Sequence, residues 1–228
     1  MYSQDLKRFL NIKNVKSKIN KNKQHNLNLK RGIIMGQRSQ IYIRYKTEDG
    51  YKLIANYYGW NYSERMISRA SSLIDYIKRN LNYGASWVLN NWAKLRHYAD
   101  VNFDMQDVVM SQDIFKEYVE EFDNEPLNDF IFKYQDNNDG KLFIDILEDK
   151  IKYCFTDYDL NLLNASDYIY WNTKAENWLS RTDGKTINTC VKNIKSIDKN
   201  AELMTQEELN EFIDADYKNM LSGFKPLF

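Results

Sequence analysis

The chain has 228 residues, of which 43% are hydrophobic and 14% aromatic, with 32 Lys+Arg balanced by 32 Asp+Glu. That apolar content can build a core and excludes a wholly disordered, collagen-like or low-complexity chain, and no apolar run approaches the roughly 20 residues that span a bilayer. The zero net charge hides a polarised chain: residues 1–34 carry +8, 35–99 carry +6, 100–184 carry −13 from 20 acids and 7 bases, and 185–228 carry −1.

Residues 1–34 are rich in lysine and asparagine, with too weak an apolar stripe to fold, and read as disordered. They lack the apolar stretch of a secretory signal, so the expected location is cytoplasmic. Two readings of the segment stand side by side. It is a basic arm for nucleic acid or an anionic surface, or it lies upstream of a start at Met35, and the expected folded unit is a single domain over 35–228.

From Gln40 the chain alternates as a strand, with Ile41, Ile43 and Tyr45 on one side and Tyr42 and Arg44 on the other. Asp49-Gly50 then supplies a turn and Tyr51, Leu53, Ala55 and Tyr57 alternate again, so 40–58 reads as a β-hairpin. Met66, Ile67, Ala70, Leu73, Ile74, Ile77 and Leu81 recur at helical spacing and predict a helix over 64–82, capped by Ser63. Helices are also expected over 85–98, around Trp92, and from 113 to 122, where Ile114, Phe115, Tyr118, Val119 and Phe122 form a stripe.

Three strand-like runs follow, 129–134, 141–146 and 150–156, with short polar turns between them that predict an antiparallel meander. Ile187, Cys190, Val191, Ile194 and Ile197 suit a further helix. Thr205 with Glu208 forms a capping box that opens a last one, expected to run through Tyr217 and Met220. Elements segregate instead of alternating as βαβ, so the predicted class is α+β: a mainly antiparallel sheet, made of the hairpin and a three-stranded meander, with about five amphipathic helices.

Several motifs suggest chemistry and stop short of it. Asp136-Asn137-Asn138-Asp139-Gly140 resembles a calcium loop, yet with Gly140 at the sixth position Gln135 and Ile146 occupy the first and twelfth, where carboxylates are required, so the run is a turn. Asp139, Asp145, Glu148 and Lys150 have the residue types of a metal-dependent phosphodiesterase, which makes hydrolysis the weakest of three functional readings. His97 stands alone, and Cys154 and Cys190 are too few for a disulfide scaffold or a four-cysteine zinc site. No phosphate-binding glycine loop occurs. No catalytic residue, metal ligand or cofactor is therefore assigned, and the expectation is a non-enzymatic protein.

Two surfaces remain as candidates. Arg38, Arg44, Lys46, Arg65 and Arg69, with Trp60 and neighbouring tyrosines, have the mixture of cations and rings that binds single-stranded nucleic acid. Within the acidic block, Glu117, Glu120, Glu121, Asp157, Tyr158, Asp159 and Trp171 would present a negative aromatic face to a basic partner.

The run from Met35 to Tyr45 (MGQRSQIYIRY) and that from Tyr57 to Ala70 (YYGWNYSERMISRA) resemble an uncharacterised family of small proteins from Gram-positive phages and conjugative elements. Val101–Met105, Gln135–Leu142 and Leu203–Leu209 fit the same family, so the resemblance spans nearly all of 35–215. It implies no site. It implies a mobile-element setting, in which small proteins inhibit host defences such as CRISPR nucleases or regulate the element's own genes; protein binding through the acidic face is expected ahead of nucleic-acid binding because a chain starting at Met35 carries −8, concentrated in 100–184.

Overall fold

In the computed structural model, the residues described are 38–48, 50–59, 61–84, 108–109, 127–129, 132, 139–174 and 176–217, all within the compact unit Gln37–Phe228. The expected helices at 85–98 and 113–122, and residues 1–34, lie outside them.

The alternation from Gln40 and the turn at Gly50 give the hairpin as expected. Strands β1 (Arg38–Thr47) and β2 (Gly50–Gly59) pair antiparallel with Thr47 opposite Gly50. Gly50 sits at φ 109°, backbone that a side chain disfavours. Helix α1 (Ser63–Asn80) follows, then a short 3₁₀ turn, Leu81–Tyr83. After β3 (Val108–Val109) and a helical turn at Leu127–Asp129 come β4 (Lys141–Ile146), β5 (Ile151–Thr156) and β6 (Leu162–Leu163). Helices α2 (Ala165–Thr173), α3 (Glu176–Arg181) and α4 (Gly184–Asn200), strand β7 (Glu202–Leu203) and helix α5 (Gln206–Asp214) complete the described chain.

The fold is α+β, but its sheet is mixed. Strand order is β3-β2-β1-β4-β5-β6, with β7 also on β5. The expected meander is half present: β4 and β5 form its hairpin, whereas the run 129–134 is not a strand where described, since Asp129 is helical and Phe132 lies in a π-helical turn. The neighbour of β4 is β1, in parallel, from Gln40 opposite Lys141 to Tyr45 opposite Ile146. The physical reason lies in burial. β4 is buried at every position and β1 from Ser39 to Tyr45, as central strands covered on both faces must be. A second parallel pair joins β5 to β7, with Lys152 opposite Glu202.

One face of the sheet carries Tyr42, Leu53, Phe143 and Cys154 into a cluster with Phe132, Met204, Leu209, Phe212, Ile213 and Tyr217, so α5 and its flanks cover that side. The other face meets α1, α2 and α4. Ser39 Oγ contacts Met66 Sδ, Tyr153 donates to Asp198 at 2.6 Å, and Phe155 stacks on Tyr168 with ring centres 4.7 Å apart. Asn193 Nδ2 donates to Ser68 Oγ, which fixes α4 against α1.

The capping box at Thr205 and Glu208 forms with both of its bonds. The last helix ends earlier than expected, at Asp214. Tyr217 returns to the core as a non-helical residue, its hydroxyl donating to the Phe212 carbonyl at 2.6 Å.

Candidate interaction surface

At the end of β5 the chain turns through Asp157–Asn161 into β6. Asp157 organises this turn: its Oδ1 accepts the backbone N–H of Asp159 and of Asn161, both at 2.9 Å, and its Oδ2 accepts Asn161 Nδ2 at 2.8 Å. Leu160 takes φ 63°, a left-handed conformation unusual for an apolar side chain, and packs against the α5-side core. With Leu160 directed inward, Tyr158 is left 62% exposed.

A second element meets it. Asn164 caps α2 by accepting from Asp167 N, and α2 buries Tyr168 and Ile169 while presenting Trp171 half-buried and Tyr170 54% exposed. The rings form a file from core to surface: Phe155 to Tyr168 at 4.7 Å, Tyr168 to Trp171 at 6.0 Å, Trp171 to Tyr158 at 6.1 Å. Such a file holds the outer rings in place at low entropic cost. Tyr168 is pinned beneath, its hydroxyl donating to the Asp139 carbonyl at 2.9 Å, and burial raises that phenol well above its ordinary range.

The structure thus brings Asp157, Tyr158, Asp159 and Trp171 together. Glu117, Glu120 and Glu121 lie outside the described residues. A feature that alternation alone did not single out lies under the turn: Lys141, at the start of β4, is 1% exposed, and burial pushes its amine down to about 8 against the opposing pull of Asp157 and Asp159.

The proposed nucleic-acid constellation is divided. Arg44 is buried in a two-pronged pair with Asp145, Nε to Oδ1 at 3.0 Å and Nη2 to Oδ2 at 2.5 Å. Its guanidinium also donates to the Glu211 carbonyl and lies between the Tyr51 and Phe212 rings, 4.5 and 4.4 Å from their centres. Arg69 is likewise buried, on α1. Lys46 is exposed beside Tyr51, and Arg65 is half-buried over Tyr62 at 5.8 Å. Trp60, the Arg38 side chain and His97 lie outside the described residues.

The acidic set suggestive of a nuclease is not gathered. Asp139 and Asp145 flank opposite ends of β4, about 20 Å apart at strand rise, and Asp145 is committed to Arg44. Glu148 is exposed in the β4–β5 turn and Lys150 pairs with Glu202 at 3.3 Å. Among the described residues no group of three potential metal ligands occurs, and no helix is long and apolar enough to cross a membrane.

Cys154 and Cys190 are unbridged and buried. Burial pushes Cys190 up to about 12 and Cys154 higher still. No protein-family model, curated protein or solved structure matches the chain.

Proposed function

We propose that the protein acts by binding a basic, nucleic-acid-handling protein of a bacterial host, such as a CRISPR effector, through the surface built on Asp157, Tyr158, Asp159 and Trp171. The observation that carries this reading is the file of rings from Phe155 to Tyr158, which displays a large exposed aromatic on a rigid support beside two carboxylates. Tyrosine and tryptophan anchors of this kind dominate interface energetics, and flanking acids steer a cationic partner. The resemblance to phage and conjugative-element proteins supports a host protein as the target and the host cytoplasm as the place of action.

The rival reading, a nucleic-acid surface on the hairpin and α1, is weakened by the commitment of Arg44 and the burial of Arg69. The test is binding of the whole chain to a panel of purified host nucleic-acid-handling proteins, with Tyr158→Ala, Trp171→Ala and Asp159→Asn variants. Loss of an aromatic anchor should weaken a true complex by roughly 30-fold, corresponding to about 2 kcal/mol. Binding by a panel member that all three variants retain would remove the assignment.

A further inference from the structure

Helix α4 carries an arrangement of charge that the core does not use. Its apolar positions Cys190, Ile194 and Ile197 are buried, while Lys185, Lys192, Lys195 and Lys199 are exposed. At 100° per residue these four lysines fall within an arc of about 80°, along about 21 Å of helix. The residues between them on that side, Asn188, Thr189 and Ser196, are polar and uncharged.

The acids of the helix and its N-cap have partners of their own. Asp198 accepts from Tyr153 of the sheet, and Asp183 at the N-cap accepts from Thr186 N and Oγ1. Among the described residues Lys185, Lys192 and Lys199 have no ion-pair partner. Lys199 lies in the last turn, where a cation suits the helix dipole, but Lys185 lies in the first, where it opposes the dipole. Helix stability does not account for a cation there.

We infer that the exposed face of α4 is a docking strip for the phosphate backbone of duplex nucleic acid, without sequence recognition. A straight row of cations over uncharged hydrogen-bonding side chains meets a regular array of phosphates. It has no aromatic ring on which unpaired bases would stack, which favours a duplex over a single strand. Anionic membrane is disfavoured because the apolar side of the helix is buried inside the protein and leaves nothing to insert. The strip lies on a different element from the ring surface of α2, and does not depend on the protein-binding proposal.

The test is anisotropy of a labelled random-sequence DNA duplex titrated with the whole chain, from 50 to 200 mM salt. Three phosphate contacts predict a slope of log K against log salt near −2.7, so about 40-fold weaker binding across that range from the strip alone. The triple variant Lys185→Gln, Lys192→Gln, Lys199→Gln should lose on the order of tenfold in affinity at low salt and flatten the slope by two to three, with an unchanged thermal melt. A control triple at other exposed lysines, Lys46→Gln, Lys78→Gln, Lys174→Gln, should change neither by comparable amounts. Equal losses in the two triples would mean that net charge or the hairpin side drives binding, and would overturn the inference. So would an unchanged slope in the α4 triple, which would assign binding to the basic first 34 residues, or binding only to phosphatidylserine vesicles.

Discussion

Replacing Gly140 by alanine tests how the ring file is seated. Gly140 precedes β4 at φ 86°, and a Cβ there would lie under 3.0 Å from the Thr156 carbonyl oxygen, 3.0 Å from Trp171 Cζ3 and 3.2 Å from Tyr168 Cε2. The left-handed backbone alone costs an alanine about 1 kcal/mol. Thr156 belongs to β5, which is paired on both sides and cannot retreat cheaply, so the overlap adds about 1–3 kcal/mol. The expected loss is about 2–4 kcal/mol, a drop of about 1–2 M in urea midpoint for an m-value near 2 kcal/mol/M. Gly50→Ala is the internal control, because its φ of 109° carries the same kind of penalty while nothing lies within 4 Å of the added carbon. Gly140→Asn separates the two terms further: asparagine tolerates a left-handed backbone, so a cost that persists belongs to crowding. If Gly140→Ala loses no more than Gly50→Ala, the close approach of β4, β5 and α2 is not what the geometry implies, and the support under Trp171 and Tyr158 fails with it.

Removing one partner of the buried Arg44–Asp145 pair, as in Asp145→Leu, should cost about 3–5 kcal/mol by urea unfolding, whereas Arg44→Met with Asp145→Leu should recover most of it. Lys141, whose amine is pushed down to about 8 when folded, penalises the native state while protonated. Above pH 8 the unfolded chain holds more protons at this group, so stability should rise between pH 8 and 10, and Lys141→Met should abolish that rise in urea midpoints. Above pH 10 the trend should reverse, since burial raises the phenols of Tyr42 and Tyr168 well above their ordinary value. Both thiols should resist Ellman's reagent in the native protein and react on unfolding; rapid native labelling would contradict their burial. Thr205→Ala should lower stability by about 1 kcal/mol by opening the capping box on α5.

Local signals carried the elements they could reach. The Asp-Gly turn set the β1–β2 register, the three- and four-residue spacing of Met66 through Ile77 set α1, and Thr205 with Glu208 set the start of α5. Pairing between distant segments was less visible. Alternation is blind to which strands meet and points β4 to the nearest apolar run, 129–134, whereas its partner is β1, some 100 residues earlier. A readable trace of the true pairing exists nevertheless. Ile41 to Tyr45 and Leu142 to Ile146 each contain a single charge, Arg44 and Asp145, at the same offset, and parallel registration places them side by side. Arg44 reads as a surface cation only while its face of the sheet is taken to be wet, and α5 covers that face. Tyr158 and Trp171 were nameable from composition, but their meeting depends on the inward anchor at Leu160 and on α2, an element that sequence periodicity did not mark.

The charge blocks of the sequence do not translate directly into surfaces. In the acidic stretch 100–184, Asp145 is neutralised by Arg44 from the basic block 35–99 and Asp157 is occupied by its own turn, while Lys152 of that stretch offsets Glu208 of the next. The nearly neutral block 185–228, in contrast, gathers four exposed lysines on α4, whose one acid, Asp198, accepts from Tyr153, and places acids on β7 and α5, of which Glu202 and Glu208 are paired with lysines of the β4–β5 hairpin. Exposed charges further apart than a Debye length, about 8 Å at physiological salt, act almost independently. A partner therefore meets patches, and a whole-chain charge of zero is compatible with strong local attraction of either sign. The negative aromatic surface at Tyr158 and the cationic strip on α4 follow from the same accounting, and binding at each should respond to salt and to mutation of its own patch, leaving the other unchanged.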